Sequence, residues 1–272
     1  MSARAARRIS MRSQIRLRLR IQQIMSKDND TPATPGDPLR ELEFSGTKTT
    51  GYPADAWDLM NAMLTEARRA RMLRVAHGRT QHIRLVVQDV HDPHNISACL
   101  RSADAFGIQH CHVVTLKQSF RTSTVARGVG SWLTLHRHHT VEDCVAKLRA
   151  DGFKLYAGVP APTAVPLHEL PVDDKIAVVF GNEHAGIDSA WLPHMDRLFT
   201  IPMFGMVESL NISVGAAITM QHLTHRARES LGTTTFALST GERQGLLNKW
   251  ICDQLQAWPQ ILPRLRAGKS SS

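Results

Sequence analysis

The stretch that most constrains the fold covers residues 201–220 and reads IPMFGMVESLNISVGAAITM. It begins as the end of a strand, breaks at Pro202 and Gly205, and becomes a helix rich in small residues from Asn211 onward. Ahead of it, KIAVVFGNEHAG at residues 175–186 predicts a buried strand that also ends in a glycine-containing loop. Two strand ends of this kind predict a pocket at the carboxyl edge of a parallel sheet.

Other features exclude several classes of protein. The glycine-rich motifs that bind dinucleotides or nucleoside triphosphates are absent from the sequence, so neither ligand is indicated. The four cysteines form no C-x-x-C pair, which predicts a reducing, cytoplasmic environment and no zinc framework. No apolar run approaches the roughly 18 residues that a membrane span needs, so no membrane contact is predicted.

The formal net charge of +9 favours a polyanionic partner only if it is spread over the folded part. Residues 1–24 contain seven arginines and no acidic residue. Without those arginines, the excess of basic over acidic side chains falls to two. Binding of nucleic acid by the folded part must therefore depend on local basic patches.

Residues 1–54 are predicted to be a disordered extension, because an arginine-rich segment is followed by a polar, proline-rich one. Three interpretations of the first 24 residues stay open: a basic nucleic-acid-binding tail, a targeting peptide, or sequence upstream of a translation start at Met25. We favour the third, because MSKDND resembles an ordinary start of translation.

Two basic patches fall on predicted helices. Asp55 is placed to cap a helix that runs to about Ala76. The first patch follows its outer surface and the second lies near the end of a later helix; they consist of Arg68, Arg69, Arg71, Arg74 and Arg79, and of Arg226 and Arg228. Runs of charge usually mark a solvated face, but five arginines without an acid after Glu66 favour contact with phosphates.

Strand and helix patterns alternate through the middle of the chain. Strands are predicted at residues 83–87, 112–115, 132–136 and 154–157, and helices at 95–107 and 141–150. This order predicts an α/β fold with a mostly parallel sheet flanked by helices. The helix from Asn211 is expected to end at Gly232, and Thr240 to cap another that ends before Pro259. That last helix is apolar enough to pack either on the body of the protein or on a second subunit.

Arg101 is predicted to lie on an outer helix face, shared with small residues such as Ser97 and Ala105. Asn95 is six positions earlier, about 240° around an ideal helix, so it must reach the same site from the helix cap. Two interpretations of Arg101 stay open: contact with a partner surface, or a salt bridge with Asp104.

The run HRHH at residues 136–139 raises the possibility of a metal site. No further ligand at helical spacing accompanies it, so ordinary exposed histidines are expected and no metal is predicted.

Three short motifs carry a family resemblance. FGNE at residues 180–183 and IPM-x-G-MVESLNIS at residues 201–213 resemble the second and third motifs of the SpoU family of RNA ribose 2′-O-methyltransferases, in the knotted SPOUT class. The first motif, an Asn and an Arg six positions apart followed by Ala and Gly, is matched by Asn95, Arg101, Ala103 and Gly107. The resemblance covers roughly residues 60–231. It is closest to members that methylate guanosine 18 of tRNA.

This resemblance implies S-adenosylmethionine as the methyl donor and a ribose 2′-hydroxyl of tRNA as the acceptor, without a metal. It also implies a deep trefoil knot at the carboxyl end and a homodimer. We expect a catalytic domain at residues 55–232 and a helical extension at 233–272. Two alternatives are ribosomal RNA as the substrate, and a catalytically silent RNA-binding protein on the same fold.

Site residues follow from the resemblance, motif by motif. Asn95 and Arg101 are implied at the acceptor side, and Glu183, Ser209 and Asn211 are implied to organise the site. The implied cofactor pocket consists of Gly158, Gly181, Ile201, Met203 and Leu210, chiefly through their backbone. The family proposal is that the arginine removes the proton of the 2′-hydroxyl. Because a guanidinium keeps its own proton near neutral pH, we expect Arg101 to orient the ribose and to stabilise developing negative charge on the oxygen.

Overall fold

Short apolar strands form a single parallel sheet in the part of the chain that the structure describes. The structure is a computed structural model and describes residues 51–90, 92–116, 130–161 and 164–269. The strands are β1 Ile83–Gln88, β2 His110–Val114, β3 Thr134–His138, β4 Lys154–Gly158, β5 Val165–Pro166, β6 Ile176–Phe180 and β7 Arg197–Thr200. They lie in the order β3-β2-β1-β6-β4-β7-β5, and every pairing is parallel. Parallel strands are buried on both faces, which explains why the central strand β6 is a continuous apolar run, whereas β2 and β3 towards one edge carry histidines.

Helices cover both faces of this sheet and one end of the molecule. They are α1 Ala56–Met60, α2 Glu66–Gly78, α3 Pro93–Ala105, α4 Val141–Ala150, α5 Ile212–Phe236, α6 Thr240–Gln254 and α7 Trp258–Lys269. Short 3₁₀ turns occur at Asn61–Met63, Leu167–Glu169 and Ser189–His194. The predicted α/β architecture with a parallel sheet is confirmed. No helix in the described ranges is long and apolar enough to cross a membrane.

Alternate residues of the central strands belong to two different cores. Leu85 of β1 and Val178 of β6 pack beneath α3 and α5. Their neighbours Val86 and Val179 point to the opposite face, where α4 packs. Since all pairings are parallel, the carboxyl ends of β6 and β7 lie at one edge of the sheet, as predicted, but the two strands are not adjacent as expected, because β4 lies between them.

The amino-terminal helix is interrupted, contrary to the continuous helix expected up to Ala76. After α1 and a 3₁₀ turn the chain becomes extended at Leu64, and the hydroxyl of Thr65 accepts a hydrogen bond from the backbone of Arg68 to start α2. Asp55 precedes α1 but makes no side-chain cap. Its carboxylate instead accepts two hydrogen bonds from Arg266 of α7, at 2.6 and 2.8 Å.

Helices from the two ends of the described chain share a core of their own. Trp57 and Met60 of α1 pack with Trp250 and Ile251 of α6 and with Leu262 of α7. The sequence left open whether the last helices cover the body or a second subunit, and the structure packs them on the body. Helix α7 was not predicted.

The ends of α5 follow the prediction closely, whereas the cap of α6 does not. Asn211 is the N-cap of α5, and the backbone leaves helical geometry at Gly232, with φ of 69°. Helix α6 is capped by Ser239, in a capping box with Glu242, and not by Thr240. The predicted extension at residues 1–54 lies outside the described residues up to residue 50.

Candidate active site

A tight loop follows β6 at the carboxyl edge of the sheet. The backbones of Asn182 and Gly186 exchange hydrogen bonds of 2.8 and 3.0 Å, which closes the loop. A Cβ atom on Gly181 would overlap the carbonyl group of Gly186, so only glycine fits there. The side-chain amide of Asn182 donates to the carbonyl oxygen of Asp89 at 2.6 Å. This bond joins the loops that follow β6 and β1 into one edge.

Three predicted site residues from three separate motifs meet at this edge. Asn95 Nδ2 donates to Glu183 Oε1 at 2.9 Å, and Asn211 Nδ2 donates to Asn95 Oδ1 at 3.1 Å. Asn211 Oδ1 in turn accepts from the backbone of Ser213 at 2.8 Å and so caps α5. We call Asn95, Glu183 and Asn211 the polar trio. It fixes the relative positions of α3, the β6 loop and α5.

Asn95 reaches this contact from a position that the sequence did not predict. The carboxylate of Asp92 caps α3 by accepting from the backbone of His94 at 2.8 Å, and Asn95 lies within the first turn. The expectation that Asn95 acts from the cap itself is therefore wrong by three residues. Ile96 and Cys99, on the inner side of α3, are buried in the core.

Arg101 is exposed on α3 and is not hydrogen-bonded to the polar trio in the described structure. The salt bridge with Asp104, one of the two interpretations, does not form, because the carboxylate of Asp104 pairs with Arg79. Ser97 is buried and donates to the carbonyl of Pro93 at 2.6 Å, so it does not share the outer face of Arg101. Arg101 therefore lies at the exposed surface of α3 without a salt bridge to Asp104.

The implied cofactor residues surround the ends of β4, β6 and β7. Gly158 ends β4 where a Cβ would lie 2.9 Å from the ring of Phe180 and 3.2 Å from that of Phe199. Ile201, Met203 and Leu210 are half-buried in the segment that joins β7 to α5, and Ser209 is exposed there. The segment also exposes two large apolar side chains almost completely: Phe204 and Met206 are each 99% exposed.

The arginines of the first predicted patch differ in their burial and in their bonding partners. Arg79 is only 1% exposed, with its guanidinium bound to Asp104 and 5.6 Å from the ring centroid of Trp250, so its assignment to the outer surface is wrong. Arg69 pairs with Glu66, and Arg68 bonds Gln254 and lies 5.3 Å from the ring centroid of Trp132. Arg71 and Arg74 are exposed, without an ion-pair partner in the described ranges.

The second patch lies near a cleft between α2, α3 and α5. Arg226 donates to the carbonyl of Leu170 at 2.8 Å and is half-buried. Arg228 is exposed, donates to the carbonyl of Gly78 at 3.3 Å, and stacks on Phe236 at 4.8 Å. Arg228 lines the cleft, which has a volume of about 410 Å³.

The sequence interpretation missed two residues that build the edge. Asp89 has a positive φ of 44°, and its carboxylate accepts from the backbone of Leu116 at 2.8 Å. Asn182 holds the β6 loop to β1, although it was given no role. Its position inside FGNE was the signal that could have found it. Asp89 carried no signal, because an isolated Asp after a strand is common in loops.

Two of the three histidines of HRHH are not the exposed side chains that the sequence predicted, whereas His139 is exposed as expected. His136 and His138 are buried, and they stack with His110 and His112 of β2 beneath α4. Burial lowers the pKa of His110 to about 3 and that of His136 to about 4, and the positive charge of Arg84 adds to both shifts. These imidazoles are therefore neutral at pH 7.

Comparisons with known proteins agree with the motifs. The model of the SpoU rRNA Methylase family matches residues 82–221. A tRNA (guanosine(18)-2′-O)-methyltransferase of Borreliella burgdorferi is 28% identical over 193 residues, which cover 71% of this chain and 88% of that protein. The protein of the same name from Thermus thermophilus is 36% identical over 155 residues, 57% of this chain and 80% of that protein. The crystal structure of the A. aeolicus TrmH/SpoU tRNA modifying enzyme has a TM-score of 0.63 at 26% identity, covering 70% of this chain and 97% of that one. Motifs, sheet and comparisons agree, and the chain belongs to the SpoU rRNA methylase family.

Proposed function

We propose that this protein transfers the methyl group of S-adenosylmethionine to the ribose 2′-hydroxyl of guanosine 18 in tRNA. The observation that carries the proposal is the polar trio, in which Asn95, Glu183 and Asn211 are hydrogen-bonded at 2.9 and 3.1 Å although they lie far apart in the chain. The tRNA assignment draws on the relatives, whose names specify guanosine 18 of tRNA and whose length this chain largely spans.

The residues around the strand ends fit the cofactor. Gly158 and Gly181 let the rings of Phe180 and Phe199 and the β6 loop pack directly on the backbone at the ends of β4 and β6. The backbone N–H and C=O groups at these strand ends can bind a neutral adenine. Ile201, Met203 and Leu210 supply half-buried apolar surface beside them. S-adenosylmethionine supplies a methyl group already activated by the sulfonium charge. The protein's part is therefore alignment of donor and acceptor and control of one proton.

Arg101 is proposed to bind the acceptor nucleotide. Its exposed guanidinium has no ion-pair partner in the described ranges and is free to contact the phosphate and ribose. A charged guanidinium also stabilises negative charge that develops on the 2′-oxygen. Ser209 and Asn211 hold the opposite side of the site, and Glu183 orients Asn95 through its carboxylate.

Contact with tRNA is proposed for Arg68, Arg69, Arg71, Arg226 and Arg228, with Arg79 withdrawn because it is buried. The matched test compares Arg71→Ala with Lys147→Ala, since Lys147 is a partly exposed cation of α4 that belongs to neither patch. A phosphate contact at Arg71 predicts weaker tRNA binding and a salt slope reduced by about one unit. An unchanged slope for Arg71→Ala removes it from the patch.

A homodimer, which the resemblance implies, is part of the proposal, and the small residues of α5 do not supply its surface. Gly215 and Ala216 are buried within the chain, and Ala216 packs in the core that α5 shares with α3. The exposed apolar surface lies instead at Phe204, Met206 and Ile218, and a second copy of the chain fits its chemistry. Light scattering at micromolar concentration tests this, and a monomer contradicts it.

The trefoil knot, the domain limits at residues 54 and 232, and a cytoplasmic location also belong to the proposal. The knot is supported by the path of the chain, which crosses from β6 to β7 on the far side of β4 and then returns to α5 beside α3 and β1. Four free, buried thiols fit a reducing compartment.

The decisive experiment maps methylated riboses by mass spectrometry in tRNA incubated with the protein and labelled S-adenosylmethionine. The expected product carries one label, at guanosine 18, and a tRNA with adenosine at that position is the matched control. Methylation of ribosomal RNA in place of tRNA overturns the assignment of substrate. Tight RNA binding without any transfer identifies a catalytically silent protein.

A further inference from the structure

Four histidines, three of them buried, lie together because of the register between two strands. His112 pairs with His136 across the β2–β3 ladder, so His110, His112, His136 and His138 share one face of the sheet. His110 Nδ1 lies 2.9 Å from His136 Nε2, and His112 Nδ1 lies 2.9 Å from His138 Nε2. Helix α4 covers this face and places the thiol of Cys144 over the second pair.

His112, His138 and Cys144 present three donor atoms to one small volume. One atom from each residue can be chosen so that all three lie within 4.8 Å of one another, and all three residues are buried. The donor atoms of one tetrahedral ion lie about 3.5 Å apart when the bonds are about 2.0–2.3 Å. Side-chain movements of about 1 Å therefore bring the three donor atoms to the spacing that one ion requires.

One ring nitrogen of His112 lacks the hydrogen-bond partner that a buried polar atom needs. Its side chain is fully buried, and its Nε2 has no hydrogen-bond partner. A buried polar atom without a partner is destabilising, so a core normally provides one. The other nitrogen of His112 already contacts His138. A ligand at this point satisfies an atom that the protein leaves unsatisfied.

We propose that His112, His138 and Cys144 form a binding site for a transition-metal ion of the Zn²⁺ class. Two neutral imidazoles and a thiolate are the donors that Zn²⁺ and copper prefer, whereas Mg²⁺ and Ca²⁺ prefer oxygen. Binding forms a metal–sulfur bond, and the thiol proton of Cys144 passes to the solvent. A water molecule completes the coordination of an ion held by three protein ligands.

The position of the site defines its role and its access. β3 is the outermost strand on its side among the strands that the structure describes, and His138 is its last residue and is 9% exposed, so an ion reaches the site from this edge. The ion would join β2, β3 and α4. The polar trio lies by α3 and α5 on the other face, so the metal stabilises the fold and takes no part in methyl transfer.

Cobalt titration of the full chain, without an affinity tag and treated with chelator and reductant, tests the proposal. Co²⁺ is expected to bind one equivalent and to produce a thiolate-to-cobalt charge-transfer band together with the visible spectrum of a tetrahedral ion. Zn²⁺ is expected to displace it and to raise the thermal unfolding midpoint of the protein.

Cys144→Ala is expected to remove the charge-transfer band and to weaken cobalt binding at least roughly tenfold. The matched control is Cys111→Ala, which removes a buried thiol of β2 that points to the other core. His138→Asn, at the sheet edge, is a second ligand variant if Cys144→Ala does not fold, and it is expected to weaken binding similarly. Absence of cobalt binding overturns the proposal, as does binding that neither ligand variant weakens.

Discussion

The polar groups on the two faces of the sheet differ in their position and in their exposure to solvent. On the α3–α5 face, the polar trio lies at the rim, comes from three loops or helix starts, and is partly exposed. On the α4 face, three of the four imidazoles are buried in the core, and all four come from alternate residues of two paired strands. The first arrangement leaves polar groups available to a substrate, whereas the second excludes water. We therefore expect changes on the first face to affect activity and changes on the second to affect stability.

Removal of Arg101 from the α3–α5 face should lower turnover, and its effect should be the largest of the substitutions compared between the two faces. Arg101→Ala is expected to lower turnover about 10²–10³-fold, because it removes the charge proposed to stabilise the 2′-oxygen. Cofactor affinity and the free energy of unfolding should stay nearly unchanged, since the side chain is exposed. Single-turnover kinetics, calorimetry with S-adenosylmethionine and urea unfolding measure the three quantities.

Arg101→Lys separates two roles, with Arg74→Ala as a control that removes another exposed arginine. Lysine gives up its proton more readily but lacks the planar fork of a guanidinium. Low activity of Arg101→Lys agrees with electrostatic positioning. If Arg101→Lys keeps most activity with a pH profile moved to lower pH, the arginine is a general base and our interpretation is wrong.

Substitution of two glycines in the β6 loop tests the proposed cofactor pocket at the carboxyl edge of the sheet, with a smaller expected effect. Gly181→Ala puts a Cβ into the carbonyl of Gly186, which must displace the loop that carries Glu183. We expect cofactor affinity to fall by about tenfold or more, which costs at least about 1.4 kcal/mol of binding free energy. Gly186→Ala meets open space and pays only for its positive φ of 70°, about 1 kcal/mol of stability. Calorimetry should show weak binding for Gly181→Ala alone; equal effects of the two variants contradict the proposed pocket.

The sequence predicted those parts of the molecule that depend on local pattern. Strands β1 and β6 and helix α4 were predicted because apolar runs and periodicity are local properties, and the edge loops because motifs mark them. Arg79 was misplaced because its partners, Asp104 and Trp250, come from distant segments. The histidine cluster was missed because it depends on strand register, which places His112 beside His136 and is not visible in either strand alone.

Replacement of Arg84 tests the stability side of the comparison. Arg84 pairs with Asp151 at 2.6 Å and lies 4.2 Å from the ring centroid of Phe153, beneath α4. Arg84→Ala is expected to lower the free energy of unfolding by about 2 kcal/mol, because a charged hydrogen bond and a stacking contact are lost. Lys147→Ala removes a more exposed contact with the same carboxylate and should cost about 0.5 kcal/mol or less. Turnover below the unfolding temperature should be normal in both variants. A loss of turnover in Arg84→Ala alone would contradict the assignment of activity to one face of the sheet and stability to the other.

His82 extends the comparison to the amino end of the sheet, where the smallest effect is expected. Its Nε2 lies 2.8 Å from the carbonyl oxygen of Val172 and must donate, because a carbonyl only accepts. Burial lowers the pKa of His82 below its usual 6.5, although the bond to Val172 opposes the shift. The unfolded chain then binds a proton more readily than the folded one as the pH falls below about 6.5. Stability contributed by the neutral form is present above that pH and is lost as the pH falls towards the folded pKa.

His82→Gln keeps a donor but cannot titrate, so between pH 7.5 and 5.5 it should lose less free energy of unfolding than the unmodified protein. The difference is at most about 1.4 kcal/mol for the one pH unit below 6.5. Urea unfolding at both pH values measures it, and equal losses would assign the acid sensitivity to other groups.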